Sequence, residues 1–194
     1  MDTPLDSVGI QQANSVAQRV ADEIEADLLL SSPLQRALVT AQIVGKSLGM
    51  EPVIMPELSE MDFGAFEGQT VARIEADYPD IATGMNDALN DDFGWPGGES
   101  RRDFHGRVLR AFQAILADNP GRRVIVVAHG GVIGSFMAQV LGMSPNDWWS
   151  NPILNCSLTH LHVTPDHTVV HLVNDAVHLE LLDPDSVAAR EVDE

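Results

Sequence analysis

The chain has 194 residues, with 29 acidic against 11 basic side chains and a formal charge of −18. That length makes one domain able to bury about 70% of its unfolded surface, and the charge argues against duplex nucleic acid and anionic membrane as partners. The single cysteine, Cys156, excludes an internal disulfide framework, no apolar run reaches spanning length, and "MDTPLDSVG" has neither the basic nor the apolar part of a signal peptide, so a reducing, cytoplasmic setting is expected.

Apolar positions at helical spacing predict a helix from about 7 to 25, a short strand at 27 to 30, and a helix from about 33 to 48, with Ser32 as its N-cap, Pro33 as its first residue and Gly49 closing it. "PVIM" at 52 to 55 reads as another strand. Residues 56–100 are loop-rich and acidic, with helical pieces near 70 to 77 and 80 to 90; they read as an excursion over the sheet, a lid within one domain spanning 1–194. Ser100 to Asn119 reads as a long helix. "VIVVA" at 124 to 128 has no polar residue and no period of two, the pattern of a strand covered on both faces. "SLTHLHV", the turn "TPDH" and "TVVHLV" predict a hairpin over 157 to 173, and the acidic tail from 180 to 194 is expected to fray.

Two corners carry the chemistry. His129 follows the 124–128 strand at its carboxyl end, where open α/β sheets place ligands. Gly130 and Gly131 let the backbone approach a ligand, and the helix they open offers free N–H groups and a positive dipole end. That pattern predicts an anion, most simply phosphate, against the plainer alternative of a histidine that caps a strand. At the second corner a strand ends in Ser31 and Ser32 and a helix begins, with Arg36 near its first turn, where a guanidinium can grip a phosphate in two places. A surface pair with Glu57 is the alternative for Arg36. Phe63, Phe66, Phe93 and Trp95 are candidate substrate walls or lid packing, and Arg101 and Arg102 either reach substrate or meet solvent. Glu99 either orients pocket groups or complements a helix dipole, Glu67 reads as structural, and Asn155 is a pocket-edge polar residue or a turn asparagine. His160, His162 and His171 sit on the hairpin, where a polar face explains them better than a metal clip; no metal site and no cofactor are expected.

"SSPLQRALVTA", "LSEMDFGAFEG", "PGGES" and "VIVVAHGGVI", in this order and spacing, resemble the histidine phosphatase superfamily, the phosphoglycerate mutase-like fold. The resemblance runs from "PLDSVGIQQA" to "NCSLTHL". It implies a three-layer α/β/α sandwich around a mixed, mostly parallel sheet, and a phosphate held by two histidines and two arginines, one histidine being phosphorylated and then hydrolysed. Arg36 matches the second pocket arginine, His129 the second pocket histidine, with Gly130 beside it at the phosphate, and Glu60 the proton donor. The family's first strand, which lies centrally and ends in Arg-His-Gly, carries the nucleophile; no Arg-His-Gly occurs in these residues. The expectation is therefore that Met1 is an internal methionine of a longer protein and that this chain is inactive by itself, the rival being a pseudoenzyme that binds phosphate without turnover. Mutases of the family carry a paired-arginine segment after the acid-bearing loop. Here no arginine stands between Arg73 and Arg101, which favours hydrolysis of a small phosphorylated metabolite over mutase chemistry. A homodimer is allowed.

Overall fold

The Leu-rich segment after the first helix forms strand β1 (Leu28–Ser31), flanked by β2 (Val53–Ile54) and β3 (Val124–Val127) in a parallel sheet of order β2-β1-β3. Leu28 stands opposite Val124 and Ser31 opposite Val127, so the carboxyl ends of β1 and β3 are level. The structure is a computed structural model that describes residues 1–144, 146, 152–164, 167–180 and 182.

Alternation along β1 and β3 sends side chains to both faces. Leu29, Ile125 and Val127 pack with Val16, Ala17, Val20 and Val44 of α1 (Ser7–Glu23) and α2 (Gln35–Leu48). Leu28, Leu30, Val124 and Val126 face the second cluster, which holds Phe104, Val108 and Ala111 of α5 (Arg101–Asp118) and Val132 and Phe136 of α6 (Gly130–Val140). The α/β class with a mostly parallel sheet and helices on both faces is therefore as expected.

Strands β4 (Leu158–Val163) and β5 (Thr168–Asp175) form the expected hairpin as a separate antiparallel sheet, two residues longer at its end than the sequence pattern implied. Leu158 joins the first core cluster and Leu161 the second, so the hairpin continues both layers. Arg19 of α1 anchors it by donating to Asp175 from Nη1 at 2.9 Å and Nη2 at 3.3 Å.

One expectation is qualified and two need correction. The β3 strand is packed on both faces, as its apolar run implies, yet each of its residues is only half-buried, because among the described residues β1 alone pairs with it and its other edge has no ladder. The second helix starts at Gln35, not at Pro33, and Ser32 is not its N-cap. The Ser32 hydroxyl instead accepts from Leu34 N–H at 3.2 Å and shares a hydrogen bond with His129, while the carboxylate of Asp2 accepts from Gln35 N–H at 2.7 Å.

Within 56–100, α3 (Val71–Asp77) and α4 (Pro79–Asn86) match the predicted helical pieces, but α4 ends four residues short of 90. The reason is Arg101, a buried arginine whose Nη1 donates to the carbonyls of Asp87, at 2.5 Å, and Asn90, at 3.3 Å, and whose Nη2 donates to that of Met85. Those carbonyls are drawn out of any continuing helix. Trp95 is 5% exposed, with Phe63, Phe66 and Phe93 around it at ring distances of 5.1 to 5.8 Å. It is core, not a free wall. The acidic tail lies outside the described residues except for Glu180 and Leu182.

Candidate active site

An open cleft of about 290 Å³ is lined by Ser59, Glu60, Met61, Asp62 and Phe63 of one loop, with Met1, Asp2, Leu34, Arg36 and Glu67 completing it. The register of the two strands delivers Arg36 through α2 and His129 through α6 to one sheet edge, as the sequence pattern required. Glu60 comes from a different place, the loop that follows a 3-10 turn at Pro56–Leu58. Its Oε2 accepts from Gly131 N–H at 3.0 Å and its Oε1 from Met61 N–H at 2.9 Å. The group at the start of α6 is thus a carboxyl of the chain itself, which satisfies one of the orphan donors there. Glycine at 131 leaves room for this contact, since a Cβ there would push the Glu60 carboxyl aside. Gly130 opens the helix and faces Ile153.

Electrostatics push the two central groups apart. Burial raises the Glu60 pKa, against the opposing pull of the Met61 and Gly131 amides and of the Arg36 and Arg107 charges; the carboxyl therefore holds its proton to higher pH than usual. Burial first, then Arg36 and Arg107, push the His129 imidazole down to about 3, so it is neutral in the unliganded site. Its Nε2 shares a 2.8 Å hydrogen bond with Ser32 Oγ, and the residue is only 7% exposed, set behind the cleft wall. A phosphate dianion entering beside it would reverse the sign of the local field and favour the charged imidazole.

The linkage gives an expected result. Unfolded His129 takes up a proton near its ordinary 6.5, whereas the folded form resists protonation to about 3, so stability is complete above 6.5 and is lost as the pH falls toward 3. The denaturant midpoint should fall between about pH 7 and about pH 4 more steeply for the wild type than for His129→Gln. Equal slopes would mean that His129 is protonated, or exposed, in the folded protein.

The other candidates separate. Phe63 reaches the cleft, while Phe66, Phe93 and Trp95 pack around it. Arg36 Nη1 donates to the carbonyl of Met1 at 3.1 Å. Arg102 pairs with Asp92 in solvent at 2.8 Å. Asn155 is exposed in the turn before β4. The His160 and His171 rings lie 4.8 Å apart on the hairpin, and among the described residues no three metal-ligating side chains gather. Glu99 bonds the loop that carries Glu60: its Oε2 accepts from Asp62 N–H at 3.1 Å. Sequence reasoning missed its partner, Arg107, and the Ser32–His129 bond. Arg107 is one of several arginines on α5, and nothing in the local pattern separates it from Arg102 or Arg110.

Residues 1–176 match the family model of the histidine phosphatase superfamily, branch 1, and the chain belongs to that family. It is 34% identical over 157 residues to a glucosyl-3-phosphoglycerate phosphatase of Mycolicibacterium vanbaalenii, covering 76% of this chain and 68% of the relative. It is 28% identical over 180 residues to a metal-independent phosphoserine phosphatase of Arabidopsis thaliana, covering 92% of this chain and 74% of the relative. The crystal structure of a phosphoserine phosphatase from Entamoeba histolytica in complex with 3-phosphoglyceric acid superimposes with a TM-score of 0.78 at 27% identity, covering 92% of this chain and 88% of that one. Relatives carrying a phosphoglycerate mutase name are matched as well. No helix among the described residues is long and apolar enough to cross a membrane.

Proposed function

We propose that the site hydrolyses phosphomonoesters of small metabolites through a phosphohistidine, with Glu60 as proton donor to the leaving oxygen and Arg36 and His129 as the electrophilic clamp. The observation that carries this reading is the Glu60 carboxyl, fixed by Gly131 N–H at 3.0 Å beside the cleft it lines, where burial raises its pKa above the ordinary carboxylate value. In the first step the ester P–O bond breaks as a P–N bond forms, and the Glu60 proton passes to the departing alkoxide. In the second, water attacks phosphorus, the P–N bond breaks and Glu60 takes the proton back. Arg36 and His129 offer donors to the equatorial oxygens as charge develops there. No histidine is among the described residues that line the cleft, His129 standing behind its wall, so the proposal includes that the 194-residue chain alone does not turn substrate over.

Hydrolysis is favoured over mutase chemistry by the cleft lining, where Asp2 and Asp62 would repel the second phosphate of a bisphosphorylated ligand and Arg36 is the one basic side chain among the described residues, Glu67 being paired with the Met1 amino group. The phosphatase names of the relatives at 28% and 34% identity support the same choice.

The test uses the chain extended at its amino end by a strand ending in Arg-His-Gly. Glu60→Gln should lower kcat/KM on an alkyl phosphate by about 10² or more and on p-nitrophenyl phosphate only slightly, because p-nitrophenolate leaves without a proton. Equal losses on both substrates would assign Glu60 to binding or folding.

A further inference from the structure

Glu60 stands on a loop, and loops hold a reacting group in place only when something rigid grips their backbone. Here the grip comes from α5. Arg107 Nη1 donates to the carbonyls of Glu57 at 2.7 Å and Ser59 at 2.9 Å, and Nη2 lies 3.5 Å from that of Glu60. Its other edge is a fork on Glu99: Nε to Oε1 at 2.8 Å and Nη2 to Oε2 at 2.6 Å. Every donor direction of the guanidinium is therefore used, and the group lies over the Phe104 ring at 5.2 Å.

Glu99 continues the grip past Glu60. Its Oε2 accepts from Asp62 N–H at 3.1 Å, and its own N–H donates to the Asp62 carbonyl at 2.9 Å. The loop is thus held on the chain side before Glu60 by Arg107 and on the side after it by Glu99, with the two holders paired to each other. Both side chains are about four-fifths covered, at 20% and 23% exposure. Partial burial and bidentate geometry set such a pair apart from solvent-exposed ion pairs.

We propose that Arg107, with Glu99 as its counter-charge, is the positioning residue of the acid loop: it fixes the backbone of 57–62 so that the Glu60 carboxyl is delivered to Gly131 N–H at the start of α6. A fork of five donors on a plane is required, because the carbonyls of 57, 59 and 60 and the Glu99 carboxylate lie in different directions; a lysine offers a point charge with no such spread. The role rests on the reading of Glu60 as the proton donor, but it is tested without turnover.

The experiment follows amide hydrogen exchange of Gly131 and Met61 in the 194-residue chain, together with the Glu60 carboxyl carbon resonance as a function of pH. Amides of α1 serve as the internal control. In Arg107→Lys, exchange at Gly131 and Met61 should rise about tenfold or more, the scale of one lost hydrogen bond, while α1 is unchanged. The Glu60 titration should move down toward the ordinary carboxylate range as water reaches the loosened loop. Glu99→Gln, which keeps the shape and removes the counter-charge, should give the same pattern at smaller amplitude. Two results overturn the proposal: unchanged Gly131 exchange and Glu60 titration in both variants, or an equal rise at every amide, which marks a merely structural role. If Gly131 responds while the leaving-group test on Glu60→Gln fails, the positioning role stands and the acid assignment falls.

Discussion

The 194-residue chain should bind vanadate yet hydrolyse p-nitrophenyl phosphate at background rate, and the same chain extended by a strand ending in Arg-His-Gly should turn it over. The reason is an incomplete set of charges and nucleophiles. On the proposed reading Arg36, Glu60 and His129 supply a clamp and an acid, but no histidine among the described residues lines the cleft to take the phosphoryl group, and His129 is buried with its Nε2 bonded to Ser32. No phosphohistidine should form at His129. The same extension should slow amide exchange over 124–127, because among the described residues β3 is paired on one edge only and an unpaired edge leaves donors and acceptors open to water. Phosphohistidine on the 194-residue chain would give His129 the nucleophile's role and overturn the clamp. A cooperative, slowly exchanging and inactive chain that binds phosphate would instead favour a phosphate-binding pseudoenzyme.

Arg36→Ala and His129→Ala should each lower kcat/KM of the extended chain by about 10² or more, the scale of removing one preorganised donor from a charged transition state. The two variants should also lose the protection against heating that vanadate or phosphate gives the wild type, since a ligand stabilises a fold only through the sites that bind it. Arg36 faces the cleft directly, so its loss acts on binding and rate together. His129 lies behind the wall, and its effect should appear mostly in kcat, as the imidazole is recharged only when the phosphoryl group is in place. Near wild-type rates in both variants would remove this cleft as the site.

The sequence alone was sufficient for β1, β3, α1, α5 and the hairpin, because continuous apolar runs and helical or alternating spacing are local signals of what each segment buries. It was also sufficient to bring Arg36 and His129 to one sheet edge, since both follow strands that run parallel. Tertiary structure decided the rest. Ser32 reads locally as an N-cap, yet its hydroxyl is drawn to His129 across 97 positions of sequence, and the helix gives way by starting at Gln35. The 124–127 run reads as a strand covered on both faces and is packed on both, but its half-burial depends on an edge that no local pattern reports, since only β1 is laddered to it among the described residues. Trp95 could be a wall or core by composition; only packing against Phe63, Phe66 and Phe93 makes it core. The two anion corners were legible, because a helix start advertises its free N–H groups in sequence. That Asp2 and Glu60 would fill them, and that Arg107 would hold the acid loop from a helix 47 to 50 positions away, were not: a hydrogen bond between distant segments leaves no periodicity in the chain that makes it.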